Sequence, residues 1–396
     1  MKALTKISIG FLALVAVALW FTSCSSEDVV QNGGSQDEKD QRVLLLSINT
    51  GNQGTRSTTA LTPDEKQIND MTVGIYDKSD NYRVVASLTS GSTDKEASGT
   101  TPGTFTTTSG VKVKVVTSTL QGDDKVLVAV NGNAAFTLKP NSPTKFSEVT
   151  MDATTALQFK ASPSTEIDAT KFPKFGTATL PAGSSSTFTA TVNVKNLVSK
   201  VTLQKLSVLF TGPYANATFT PEEIFLLNVP DKLAFSTTGQ ASTSNYLHGT
   251  NIDKSGGTTG IKTAVLDKAI TDAHALGTDN TSYTAQPILY TIPNSSTSNK
   301  TILVIAGKFK KDGSATGETV YYPLALNENY SSEHPSGAAA DGGTKSQTLA
   351  GKNYKCTVVI KTIGASNPWV TTGPQTADLT VNVEDWEDAA QTTTFE

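Results

Sequence analysis

The 396-residue chain is poor in the side chains that build metal and redox centres, with two cysteines and three histidines. So few, so scattered, exclude a zinc framework of the usual spacing. Charge is sparse too: Asp, Glu, Lys and Arg make up 17% of the residues, against 37% hydrophobic ones. That balance excludes a coiled coil and a charge-driven disordered chain. The formal net charge is −4, and no basic stripe offsets it. Nucleic acid is thereby excluded as a partner. What is plentiful is Ser, Thr, Gly and Asn, a mixture that disfavours helices and suits strands and turns. At roughly 100–200 residues per domain the length fits about two domains. Either is large enough to bury a core without disulfide or metal staples.

A long apolar run occurs at the start. Lys2 and Lys6 precede Ile7 to Phe21. The run is shorter than the roughly 20 residues of a comfortable membrane span and fits the hydrophobic region of a signal peptide. It ends in Phe21-Thr22-Ser23-Cys24, which resembles a bacterial lipobox. In such signals the cysteine is acylated and becomes the first mature residue. The competing reading is an ordinary secretory signal with an incidental cysteine. Ser25-Ser26-Glu27-Asp28 is similar to the Ser-plus-acidic signal that sends Bacteroidetes lipoproteins to the outer surface. Cys356 then remains as a lone thiol. By alternation it shares a strand face with Tyr354, Val358 and Ile360, which suits a buried small hydrophobe better than a reactive group.

Residues 25–41 read as a polar tether. Arg42 to Thr50 contains Val43-Leu44-Leu45-Leu46-Ser47-Ile48, a strongly apolar strand candidate. Residues 51–59 form an exposed linker carrying Arg56, the kind of stretch that proteases nick. Pro63 to Asn69 suits one helical turn with Thr62 as its N-cap. Period-2 alternation then marks strands at Met71–Ile75, Val111–Val115 and Val126–Val130, the last ending in the turn signal Asn131-Gly132-Asn133. A Pro-Ala-Gly-Ser-Ser-Ser-Thr shift at 181–187 suggests a domain boundary near 185. Further strands are expected around 224–228, 286–292, 301–309, 318–324, 353–363 and 377–386. Long loops are expected at 236–262 and 327–348. Helical periodicity shows only at 262–276, with Ile261, Val265, Ala269 and Ala273 on one face. The expected architecture is all-β: two tandem antiparallel β-sandwich domains with few short helices. Its divisions are 1–24 signal peptide, 25–56 propeptide, 57–185 N-terminal sandwich and 186–396 C-terminal sandwich.

Motifs for chemistry are thin. Gly337-Ala-Ala-Ala-Asp-Gly342 opens like a phosphate loop, but Gly343 stands where Lys is required. No Gly-x-Ser-x-Gly elbow occurs. Ser92-Thr93-Asp94-Lys95 and Ser142-Pro143-Thr144-Lys145 match Ser-x-x-Lys by composition alone, without a following Lys-Thr-Gly. Asp77, Ser79 and Asn81 begin like a calcium loop, but Tyr82 takes the Gly position and no Glu closes it. His248, His274 and His334 lie in polar, loop-like stretches. The reading is a non-enzyme with no cofactor.

Seven further elements, in order, resemble the Bacteroidetes fimbrillins, the type V pilins of FimA-like kind. They are the Cys24 lipobox, Thr55-Arg56-Ser57, Ile68–Asp77, Asn196–Leu203, Tyr290-Thr291-Ile292-Pro293-Asn294, Gly351-Lys352-Asn353-Tyr354 and Val381–Trp386. The resemblance implies transthyretin-like sandwiches and a structural role as a fimbrial subunit that supports adhesion. It implies a precursor anchored in the cell outer membrane through lipid on Cys24, later a fimbrium on the surface. An Arg-specific protease would cut between Arg56 and Ser57. The strand with Val43, Leu44, Leu45, Leu46 and Ile48 would leave, and the C-terminal strand of another pilin subunit would fill the groove. The implied donor residues are Trp386, Ala389, Gln391, Thr393 and Phe395. Host surface ligands are further partners the resemblance allows. One departure is that Glu387-Asp388-Ala389-Ala390 follows the Trp where family donors alternate apolar residues. The retained tail favours a stalk subunit. The alternatives are a tip or accessory fimbrial adhesin, and a surface glycan-binding lipoprotein using Trp369 and Trp386.

Overall fold

The computed structural model describes residues 42–50, 57–59, 61–89, 100–101, 111–132, 148–243, 245–254, 262–278, 281–313, 316–331, 337–345, 347–370, 373 and 376–386. All of them fall within one unit, Asp40–Glu396. Cys24, Arg56 and the donor candidates Ala389, Gln391, Thr393 and Phe395 lie outside the described residues, as do His334 and both Ser-x-x-Lys matches.

The alternating segments fold as strands, because alternation gives each one an apolar face and a polar face. An eight-stranded path runs through β4 (Tyr82–Thr89), β3 (Asp70–Tyr76), β7 (Lys125–Val130), β9 (Lys174–Thr179), β10 (Thr187–Asn196), β1 (Arg42–Thr50), β6 (Val111–Thr117) and β5 (Thr100–Thr101). β9 and β10 pair only over their ends, Phe175 with Lys195 and Lys174 with Asn196. The path is therefore folded there into two four-stranded halves. Gly176 sits at the fold: a Cβ on it would lie 2.4 Å from the Asn193 carbonyl oxygen. Leu44, Leu46 and Ile48 of β1 meet Met71, Val73 and Ile75 of β3 and Val126, Val128 and Val130 of β7 in one core between the halves.

The second half of the chain is a second sandwich. One sheet orders β17 (Ser282–Tyr283), β11 (Ser199–Val208), β23 (Lys352–Ile360), β24 (Ala377–Trp386) and β2 (Ser57–Thr59), with β18 (Ile288–Thr291) also on β11. The other orders β16 (Asp267–Ala269), β12 (Thr218–Leu227), β19 (Ile302–Lys310) and β20 (Glu318–Ala325). Short pairs complete it: β13 (Val229–Pro230) with β15 (Tyr246–Leu247), β14 (Lys232–Ala234) with β8 (Thr150–Asp152), and β21 (Glu328–Asn329) with β22 (Ala338–Ala339). The helices α1 (Pro63–Lys66) and α2 (Ala153–Ala156) are single turns.

Four details differ from the expectation. Most pairings are antiparallel, but β1 with β10, β11 with β23 and β2 with β24 run parallel. β10 lies beyond the expected boundary near 185 yet belongs to the first sandwich, so the sheets change hands between Asn196 and Ser199. The 262–276 stretch is a 3₁₀ turn at Ala264–Leu266 followed by β16. The 327–348 loop contains the β21–β22 pair. Cys356 does share a buried face with Tyr354, Val358 and Ile360, and burial pushes its thiol up to about 12.

Candidate functional site: the β1 slot and the junction behind it

β1 lies in the interior of its sheet. On one side Val43 to Thr50 pair in parallel with Thr187 to Val194. On the other, Arg42 to Ile48 pair antiparallel with Thr117 to Val111. Its entry is pinned by the Val43 amide donating to the Ser186 carbonyl at 2.8 Å and by Arg42 donating to the Leu120 carbonyl at 2.6 Å. Leu44, Leu46 and Ile48 are fully buried, while Val43 and Leu45 on the opposite face are half-buried. Burying each of the first three side chains contributes about 1.5–3 kcal/mol, an upper estimate. A strand in this position cannot leave quietly. Its loss exposes one edge on β10 and another on β6, each a row of unpaired amides and carbonyls, above an opened apolar floor.

The chain re-enters the described structure at Ser57, in the other sandwich. There β2 runs parallel to the end of β24, with Ser57 opposite Asp385 and Thr59 opposite Trp386. The residue after the expected cut and the root of the C-terminal tail are thus strand neighbours. α1 follows directly. Its capping box is complete: the Glu65 amide donates to Thr62 Oγ1 at 3.3 Å, and the Thr62 amide donates to Glu65 Oε2 at 2.7 Å. Glu65 is 2% exposed, and the junction is built on it. Trp386 Nε1 donates to its Oε2 at 3.3 Å, while Lys200 Nζ and the Tyr290 hydroxyl donate to its Oε1 at 3.2 and 3.4 Å. Burial and the Glu65 charge drive the Tyr290 phenol well above its ordinary range. Phe172 stands edge-on to Trp386 at 5.9 Å, and Lys200 lies 5.3 Å over the indole.

Trp386 therefore corrects the sequence reading. It is fully buried in its own subunit, its amide donates to the Gly351 carbonyl, and β24 pairs with β23 through Asp385. β23 and β24 pair without a register shift, and the indole faces the junction. The candidate donor segment shrinks to 387–396.

Beside the junction Lys174 is 1% exposed and donates to the Gln67 and Phe172 carbonyls, each at 3.1 Å. Burial pushes its ammonium down to about 7, against the pull of Glu65 and Asp70. Asn131, in the left-handed region at φ 55, ties the same corner. Its Nδ2 donates to the Gln67, Thr170 and Phe172 carbonyls and its Oδ1 accepts from the Asn69 amide. The sequence marked Asn131 as a turn residue only, and gave no signal for Glu65, Lys174 or Lys200 beyond a capped helical turn.

The minor candidates are accounted for locally. Asp77 Oδ1 accepts from the Ser79 and Asn81 amides at 2.8 and 2.9 Å, and the Asn81 bonds hold its carboxyl below the usual carboxylate range, so the carboxylate closes its own turn. His248 packs edge-on against Trp369 at 4.7 Å, and the Trp369 indole donates to the Ile252 carbonyl. Trp369 and Trp386 are thus held in separate polar and aromatic settings. No group of three or more His, Cys, Asp or Glu among the described residues has the arrangement of a metal site.

No protein-family model matches the sequence, and no curated protein does. Solved structures do. A candidate cell adhesion protein of Bacteroides eggerthii aligns over 89% of this chain and 98% of its own, with a TM-score of 0.57 and 18% identity. Another from Parabacteroides distasonis aligns over 88% and 100%, with a TM-score of 0.55 and 16% identity. A fimbrilin of Porphyromonas gingivalis aligns over 88% and 99%, with a TM-score of 0.53 and 14% identity. The chain shares the all-β fold of these adhesion and fimbrial proteins over nearly its whole described length.

Proposed function

We propose that the chain is a structural fimbrial subunit, a stalk pilin, that polymerises by protease-activated donor-strand exchange and supports adhesion. In this reading the precursor is held in the outer membrane by lipid on Cys24. A protease cuts after Arg56, β1 leaves with residues 25–56, and the tail 387–396 of a neighbour takes its place. The observation that carries the reading is the position of β1: interior to its sheet and joined to the rest of the chain by the short stretch 51–56. The fold shared with a fimbrilin supports it.

The logic of the cut is one of effective concentration. While the linker is whole, β1 is an intramolecular ligand for its slot, and any neighbour's tail competes against a local concentration on the order of millimolar. After the cut, β1 dissociates as a separate peptide and the tail competes on equal terms. Repetition of this head-to-tail contact does not close, so it builds a filament.

Limited trypsin digestion of the chain from Ser25 onward tests the reading. The expected result is a dominant cut after Arg56, then slow growth of SDS-resistant multimers, with both events blocked in Arg56→Ala. A cut chain that stays monomeric after residues 25–56 have dissociated contradicts it. Deleting 387–396 should abolish the multimers; unchanged multimers would favour the tip or accessory role.

A further inference from the structure

The inner face of the β1 slot changes character along its length. It begins apolar: Leu44 lies between Phe188 and Val115, Leu46 between Ala190 and Val113, and Ile48 beside Val192. It ends polar. Thr50 continues the face opposite Val194, and its Oγ1 is buried with no hydrogen-bond partner. Asn196 is the next inward residue of β10. It is 1% exposed, and neither its side-chain oxygen nor its nitrogen has a partner. A buried amide left without hydrogen bonds is destabilising, and native folds keep few of them. β1 fills the slot without meeting that demand.

The tail carries the same two characters in the opposite order. In an extended tail, Ala389, Gln391, Thr393 and Phe395 share one face, and the large apolar member comes last. Its ten residues at ~3.3 Å each reach about 33 Å, enough to span the slot from the level of Leu45 past Thr50 to that of Asn196. Laid in the direction of β1, the tail would put Gln391 among the leucine sites and bring Phe395 to the polar end. Laid the other way, Phe395 enters the Leu46 site, Thr393 the Ile48 site and Gln391 the Thr50 site, next to Asn196. A glutamine offers both a donor and an acceptor to an amide.

We infer that the slot selects its occupant by polarity: the tail of a second copy enters in the direction opposite to β1, antiparallel to β10, with Gln391 meeting the unpartnered Asn196. This rests on the donor-strand reading above and specifies the orientation and the selecting residue.

Cysteine pairing reads the direction. Thr189 is exposed and lies opposite Leu45. A reversed tail brings Glu396 to that level, and a tail running with β1 brings Ala390. The double variants Thr189→Cys/Glu396→Cys and Thr189→Cys/Ala390→Cys, each in the chain from Ser25, are cut with trypsin, oxidised, boiled in SDS and run without reductant. The native Cys356 is fully buried and does not interfere. Intermolecular links through Glu396→Cys and not through Ala390→Cys support the inference. Links through Ala390→Cys, or multimers linked through neither, overturn it and leave donor-strand exchange standing. Absence of multimers in the unmodified chain as well defeats the underlying reading and the inference with it. In a second arm, Asn196→Val and Gln391→Val each lower multimer yield roughly tenfold, as loss of one buried hydrogen bond would, and the double variant falls no further. Additive losses overturn the pairing. Gln391→Val changes only the tail, so its effect does not depend on Asn196→Val folding.

Discussion

Trp386 stands where both sandwiches and the chain just beyond the expected cut converge. Its indole donates to Glu65 and packs on Phe172, Tyr290 and Lys200. Trp386→Ala should destabilise the chain by about 3–5 kcal/mol, read as a lower urea midpoint. Glu65→Ala removes the partner of a Lys200 ammonium that is 11% exposed and should cost about 3–5 kcal/mol in the same measurement. Lys174 gives a pH signature. Its ammonium is pushed down to about 7 from an ordinary 10.5. Between those values the unfolded chain holds a proton that the folded one lacks, so stability contributed by this group rises with pH. The rise is at most about 1.4 kcal/mol per pH unit, and below pH 7 the penalty is constant. The difference in urea midpoint between the native chain and Lys174→Met, in which the other groups cancel, should shift in the native chain's favour at about that slope from pH 7 to 10. Cys356 was legible from strand parity, since its burial depends on neighbours two residues away. Trp386 was not, because its partners come from four distant stretches and no local pattern records them.

The strands themselves were readable, and β24 runs over the span its alternation suggests, Ala377–Trp386. Pairing partners were not. Parallel neighbours such as β1 and β10 are joined by long connections, so nothing in either segment names the other. The 262–276 stretch shows the reverse failure: four apolar residues at helical spacing were overruled by pairing of Asp267–Ala269 with β12. The placement of β10 matters most, because it makes β1 an interior strand. Leu46→Ala should therefore lower the stability of the uncut chain by about 2–5 kcal/mol. The same substitution should have no effect on thermal melts taken after residues 25–56 have been cut away. An equal loss in both states would mean that β1 does not leave.

At the scale of the molecule, one proteolytic event is proposed to open a slot in one sandwich while the neighbour of the cut site, Ser57, stays paired beside the root of the tail in the other. Composition correctly suggested an all-β molecule, and the order of short motifs suggested its fold. The shared core through Phe172, Phe175, Val198 and Trp386 was not legible, because that core is assembled from both halves of the chain. Hydrogen exchange of the backbone amides of Val111–Thr117 and Thr187–Asn196 addresses the central claim most directly. It should be measured in the uncut chain, in the cut monomer freed of residues 25–56, and in the multimer. Both strands should be protected, then exposed, then protected again. Unchanged protection in the freed monomer, or exposure that persists in the multimer, would contradict the account.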